Sequence, residues 1–229
     1  MIPSRRLLSV LFLVVLLVGV WACQGASEVN TVTDCTHGSG TLKTENRELP
    51  PFHALDIDGA FSVTITCQQE QELSVSADDN LLPLITTEVQ NGTLRITTRK
   101  PICTSNPLTV TMSVATLESI KSGGANGFSI TALNSPSLKV NLSGAGNMSV
   151  EGKTKDLAVV LEGASEIHAS ELRAVQVDVS ISGAGSAEVF ASEALNAEIS
   201  GVGDIRYGGQ PAKVVRNITG WGTVAPLGE

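Results

Sequence analysis

Val177-Asp178-Val179-Ser180-Ile181-Ser182-Gly183-Ala184-Gly185-Ser186-Ala187-Glu188-Val189 reads as a strand, a bend and a second strand. Apolar and polar side chains alternate up to Ser182, a glycine pair interrupts them, and the alternation resumes. The same design returns on either side. Leu138-Lys139-Val140-Asn141-Leu142-Ser143 runs into Gly144 and then Met148-Ser149-Val150, while Leu195-Asn196-Ala197-Glu198-Ile199-Ser200 runs into Gly201 and then Ile205-Arg206-Tyr207. Residues 157–162 with Ile167 repeat it once more. The first glycines of the six bends, Gly124, Gly144, Gly163, Gly183, Gly201 and Gly220, stand 20, 19, 20, 18 and 19 residues apart. A period near twenty marks a solenoid, in which each unit buries its apolar side chains only by stacking on its neighbours. Glycine suits such bends because it lets adjacent backbones approach closely.

Working toward the N-terminus, residues 58–65 match residues 143–150 position by position. The stretch from Gly59 to Gly124 holds further alternating runs at 73–77, 86–89 and 108–114, with Asn91-Gly92 as a hairpin turn. No segment after residue 22 sustains a 3.6-residue apolar period over three turns. The expectation is an all-β, single-domain, parallel β-helix-like solenoid of about six 18–20-residue coils over residues 45–223. Its N-terminal part is irregular, and a C-terminal tail occupies 224–229. A β-prism or a sandwich is the alternative.

The first 22 residues read as a secretory signal: Arg5-Arg6 precede an apolar run over residues 7–22, shorter than the roughly 20 residues of a membrane span. Val20-Trp21-Ala22-Cys23 resembles a bacterial lipobox, which makes Cys23 the expected lipidation site and the membrane a partner through that lipid. An ordinary signal peptidase cutting at the same bond is the other reading. Residues 24–44 are polar and small, the pattern of a flexible tether. Losing residues 1–22 removes Arg5 and Arg6 and no acid, so the net charge moves from -8 to -10. An acidic chain without basic clusters has no electrostatic footprint for nucleic acid. With Cys23 lipidated, three cysteines remain. Cys67 and Cys103 stand near strand ends and are the expected disulfide, with three free thiols as the alternative.

Glu45-Asn46-Arg47, Pro51-Phe52, residues 55–65, Ala77-Asp78-Asp79-Asn80-Leu81-Leu82, Thr87-Glu88-Val89, Asn91-Gly92-Thr93-Leu94 and the recurring Ser-Gly-Ala-Gly resemble the bacterial family described as putative auto-transporter adhesin, head GIN domain. The resemblance covers about residues 40–223. It implies a β-rich repeat fold on exported, often lipid-anchored proteins of the cell envelope, and it brings no catalytic residues. The chain departs from the pattern at Glu162-Gly163-Ala164-Ser165 and at Trp221.

The chemistry-bearing residues are sparse. No Gly-Lys-Ser/Thr or Gly-x-Gly-x-x-Gly follows the bends, so nucleotide loops fail. No Ser sits in a nucleophile elbow. His37, His53 and His168 lack a partner at metal-ligand spacing, and Asp78-Asp79-Asn80 lacks the glycine and distal Glu of a calcium loop, so it reads as a solvated turn. No cofactor or metal is expected. Ser143, Ser182, Ser200 and Thr219 suggest a hydroxyl ladder along one corner. Glu166 and Asp204 occupy the same place two coils apart, about 10 Å, near the spacing of an inverting glycosidase pair. Glu162 is a further acid, and Tyr207 and Trp221 are the sugar-platform candidates. Scattered carboxylates that keep a β-surface soluble explain the acids more simply. The expected function is therefore a non-catalytic envelope lipoprotein with a structural or adhesive binding module, its partner an envelope protein, a glycan or a second copy. A glycan hydrolase or lyase on the same scaffold is the alternative.

Overall fold

The computed structural model describes residues 34–228. The expected signal peptide, Cys23 and the first part of the expected tether lie outside the described residues, as does Glu229. Among the described residues no helix is long and apolar enough to cross a membrane.

The chain enters through β1 (Thr36–His37) and β2 (Leu42–Asn46), then makes β3 (Ala54–Gly59), β4 (Phe61–Cys67), β5 (Glu72–Asp78), β6 (Ile85–Gln90), β7 (Thr93–Thr98), β8 (Ile102–Cys103) and β9 (Leu108–Val114). Four long strands that turn corners follow: β10 (Ser119–Leu142), β11 (Ala145–Leu161), β12 (Ala164–Ile181) and β13 (Ala184–Ile199). The chain closes with β14 (Val202–Gly208), β15 (Lys213–Ile218) and β16 (Trp221–Pro226). From β10 onward the pairing is parallel and in register: Leu142 lies beside Leu161, Ile181, Ile199 and Ile218 in turn. The result is a right-sized repeat of one coil per period, and the solenoid makes about five turns.

Alternation explains the core. Odd and even residues of a strand point to opposite faces, so register stacking places like with like. Inward columns run Leu138-Leu157-Val177-Leu195-Val214 and Met148-Ile167-Ala187-Ile205-Val224. The members before the last coil are buried. A buried aliphatic side chain contributes roughly 1.5–3 kcal/mol, and no coil carries enough of them to stand alone. The corner glycines stack too. The nitrogens of Ala164, Ala184, Val202 and Trp221 donate to the carbonyls of Gly144, Gly163, Gly183 and Gly201. Of the expected corner hydroxyls, Ser143 donates to the Ser122 carbonyl (3.2 Å). Glu162 interrupts the column, and Ser182, Ser200 and Thr219 make no such side-chain bond among the described residues.

Residues 58–65 do form a first coil: β3 and β4 stack in parallel under β10, with Gly59 beside Gly124 and Val63 beside Phe128. The chain then leaves the solenoid path. β9 adds to β4 and β7 to β3, both parallel, while β5, β6 and β2 add antiparallel outside them. Leu81, Leu82 and Leu117, buried, cover this end.

Three expectations change here. The tether is ordered from residue 35: β2 pairs with β5, and β1 with β8. The disulfide joins Cys35 to Cys103, with Cα atoms 5.6 Å apart, and not Cys67 to Cys103. Cys67 ends β4 facing inward, a free buried thiol that burial pushes up to about 11. The residues 224–226 expected in the tail are instead strand, paired with β14.

Asp78-Asp79-Asn80 is also no simple solvated turn. Asp78 is buried; Thr104 Oγ1 (2.6 Å) and Asn106 Nδ2 (2.6 Å) donate to its carboxylate and hold it below the usual carboxylate range. Because the folded state holds the lower pKa, the charge stabilises the fold above about pH 4, and that contribution is lost as pH falls through the folded value. Asp78→Asn is therefore expected to lower the urea midpoint at neutral pH. The gap to the parent should narrow as the pH falls below about 4 and on through the folded value. A gap that does not depend on pH would remove the electrostatic account.

Candidate functional site

Register places Glu166 beside Ser186 and Ser186 beside Asp204, so the two acids share an outward column, two coils apart. Their neighbours already occupy them. Asp204 Oδ1 accepts from the backbone nitrogen (2.9 Å) and hydroxyl (2.6 Å) of Thr223 on the last coil. Glu166 lies 3.4 Å from His168 Nε2, whose Nδ1 is 3.4 Å from Glu188. Glu162 belongs to the corner before the glycine and not to this column. Both Glu166 and Asp204 are exposed on a sheet face, and neither lines the grooves at residues 46–49, 37–40 or 176–178. Among the described residues no three His, Cys, Asp or Glu side chains are grouped to hold a metal.

Tyr207 is no surface platform. It is 8% exposed, in the inward column Ala169-Val189-Tyr207. Its hydroxyl accepts from Arg216 Nη2 (2.8 Å), and the guanidinium carbon lies 5.8 Å from its ring centroid. Arg216 stands where earlier coils carry Val159, Val179 and Ala197. It closes the interior of the last coil with a charge that reaches solvent. Among the described residues β15 pairs only with β13, and β16 only with β14, so both present an unpaired edge.

Trp221 is 81% exposed. It ends an outward corner column of Ala125, Ala145, Ala164, Ala184 and Val202, each flanked by glycine. With Val202 and Ile218 also exposed, the open end carries an apolar corner.

The alternation at residues 62–66, 74–76, 109–113 and 129–131 encodes a second surface, of hydroxyls, that carries no catalytic motif. Ser74, Thr111, Thr64, Ser129 and Ser149 stand side by side across β5, β9, β4, β10 and β11. Ser76, Thr109 and Ser62 form a parallel row. Farther along, His168, Glu188 and Arg206 continue the first row with charge. At its uncharged end the face runs into a groove of about 530 Å³, walled by residues 46–49 and the loop after β4, with Thr66, Ser74 and Thr111 among its lining residues.

The walls are pinned. Gln71 Nε2 donates to the carbonyls of Leu49 and Pro50 (both 3.1 Å), and its Oε1 accepts from the Phe52 nitrogen (3.1 Å). Arg47 donates to the carbonyls of Ile85 (2.7 Å) and Leu82 (3.0 Å) and to Thr87 Oγ1 (3.1 Å).

Residues 51–211 match the family model described as putative auto-transporter adhesin, head GIN domain. The chain belongs to this family. No curated protein matches this head GIN chain significantly. Among solved structures, the head GIN solenoid is similar to a putative adhesin from Bacteroides fragilis, with TM-score 0.69 and 24% identity, covering 84% of this chain and 100% of that one. A putative adhesin from Parabacteroides merdae aligns with TM-score 0.54 and 24% identity over 85% of this chain and 99% of that one. A putative lipid binding protein from Parabacteroides distasonis aligns with TM-score 0.51 and 21% identity over 84% and 99%. At these identities the likeness is one of fold. The family description is of adhesins and not of enzymes.

Proposed function

We propose that this head GIN protein is a non-catalytic, lipid-anchored protein of the cell envelope whose β-solenoid serves as a structural or adhesive binding module. The observation that carries the reading is the open last coil. There two unpaired strand edges lie beside the exposed Trp221 corner, while antiparallel strands and a disulfide cover the opposite end. An unpaired edge is a template for a partner strand, and an exposed aromatic is the side chain that most often anchors an interface. A protein or glycan of the envelope, or a second copy of the chain, is the expected partner. Anchoring belongs to Cys23, and two acyl chains there would hold the protein stably on a membrane.

The glycan-processing alternative draws only on the shared column of Glu166 and Asp204. Against it stand the exposure of both acids on a sheet face and the engagement of Asp204 by Thr223.

The reading is tested by capture of isolated envelope fractions on the purified full chain. Trp221→Ala is expected to weaken capture about tenfold or more, with an unchanged melting curve. Labelled palmitate should enter the parent protein and not Cys23→Ala. Turnover of a polysaccharide panel that is lost in Glu166→Gln would overturn the non-catalytic assignment, and Trp221→Ala binding as well as the parent would remove the open end.

A further inference from the structure

We propose that the groove beside β5 and β9, together with the hydroxyl rows leading out of it, binds a linear neutral glycan. The proposal rests on the reading of the chain as a binding module and assigns that module a ligand class and a place.

Charge decides the class. The one cation in the groove wall is Arg47, and its guanidinium is spent on two carbonyls and a threonine hydroxyl. Glu48 and Glu72 line the groove as well. A phosphate or carboxylate entering there would find no free positive partner and two like charges. A neutral ligand meets no such penalty.

Hydrogen bonding narrows it further. The hydroxyls of Thr66 and Thr111 and the side-chain amides of Asn46 and Gln69 have no protein partner among the described residues, and all of them both donate and accept. Sugar hydroxyls have the same double capacity. The groove's volume lies within the usual range for small-ligand sites. Its walls are already held by Gln71 and Arg47, so binding would order little protein.

The rows supply the linear dimension. Hydroxyls from Ser74 to Ser149 step across five strands at about 4.8 Å each, a track of roughly 20 Å. No aromatic side chain stands in these rows, so no ring stacking adds to the hydrogen bonds. A single chain is therefore expected to bind weakly, with a Kd of about 0.1–1 mM, and arrays of anchored copies would bind by avidity.

The test presents cellohexaose, mannohexaose, the fully N-acetylated hexamer of chitin and hexagalacturonate to the full chain immobilised on a biosensor. At least one neutral hexamer should bind while hexagalacturonate does not. Thr66→Val with Thr111→Val, which keeps shape and strand propensity, should weaken that binding fivefold or more. Gln69→Ala, on an exposed loop, serves the same comparison if the double variant does not fold. The proposal is overturned if no neutral hexamer binds, if hexagalacturonate binds as well, or if the variants bind like the parent. Envelope capture that survives alongside such a failure would leave the module reading standing and remove only the glycan. Loss of both would remove both.

Discussion

Gly163→Ala is expected to have a urea midpoint well below the parent's. A Cβ at Gly163 would overlap the carbonyl oxygen of Gly144 on the preceding coil, with the Ser143 carbonyl close behind. Both obstacles are backbone atoms locked in the ladder, so neither can swing aside as a side chain would. Relief requires the coils to separate at the corner, which breaks the bond from the Ala164 nitrogen to the Gly144 carbonyl (3.0 Å) and loosens the packing of Leu161 on Leu142. A cost of about 3–5 kcal/mol is expected, from overpacking combined with a lost ladder bond. Small domains hold only about 5–15 kcal/mol in all. In a solenoid the damage also falls on an interface that joins the two halves of the stack, so cooperativity should suffer along with stability. Urea melts followed by circular dichroism would show a shifted, broadened transition. Ala164→Ser, one residue on and pointing to solvent, should stay within about 0.5 kcal/mol of the parent. A Gly163→Ala protein as stable as that control would mean the corners do not stack this tightly.

Cys103→Ser should cost about 2–4 kcal/mol, close to the upper range for a native bridge. The bridge closes a loop with a sequence separation of 68, and the loop-entropy estimate for such a length is about 4 kcal/mol. Little else holds the first strand. β1 and β8 pair only with each other, over two residues each. Thr104, next to the bridge, donates to Asp78, so losing the bridge should also loosen the buried carboxylate. Cys103→Ser combined with Asp78→Asn is therefore expected to cost less than the two changes added together. Urea denaturation of the four proteins gives the coupling directly. Strict additivity would show that bridge and carboxylate act independently.

The legible part of the fold was the part built on repetition. A fixed spacing of glycine bends within strict alternation leaves one economical arrangement, and β10 to β16 adopt it with the predicted neighbours. Residues 58–65 were readable as a coil because they carry the same bend. The sequence between them and Gly124 was not, since alternation is common to parallel and antiparallel strands and does not say which neighbour a strand takes. The order of strands β2, β5 and β9 follows from that missing information. The disulfide failed for a related reason. Cys35 sits in a stretch whose polar composition suggests a tether, and only a long-range pairing of β1 with β8 orders it.

The candidate site was legible in position more than in role. Glu166 and Asp204 do align, yet their partners His168 and Thr223 lie on the same strand and on the next coil, and residue type alone does not announce such contacts. Tyr207 stood out as a sugar platform because aromatics are scarce, although alternation sets it on the same face as the buried Ile205. The register puts it inside, under Arg216. The hydroxyl rows were present as Thr-x-Thr and Ser-x-Thr in plain view. They gain meaning only when strands distant in sequence are set side by side.

The Cys35–Cys103 bridge also bears on mechanics. Any pull transmitted through the residues before Asp34 reaches the folded body at Cys35 and crosses covalently to Cys103. The intervening segment, with a contour length of about 230 Å if drawn straight, is excluded from the load path and cannot be reeled out. Under oxidising conditions the folded body would meet such a pull as a stiff block, while reduction would add a long extensible lead ahead of it.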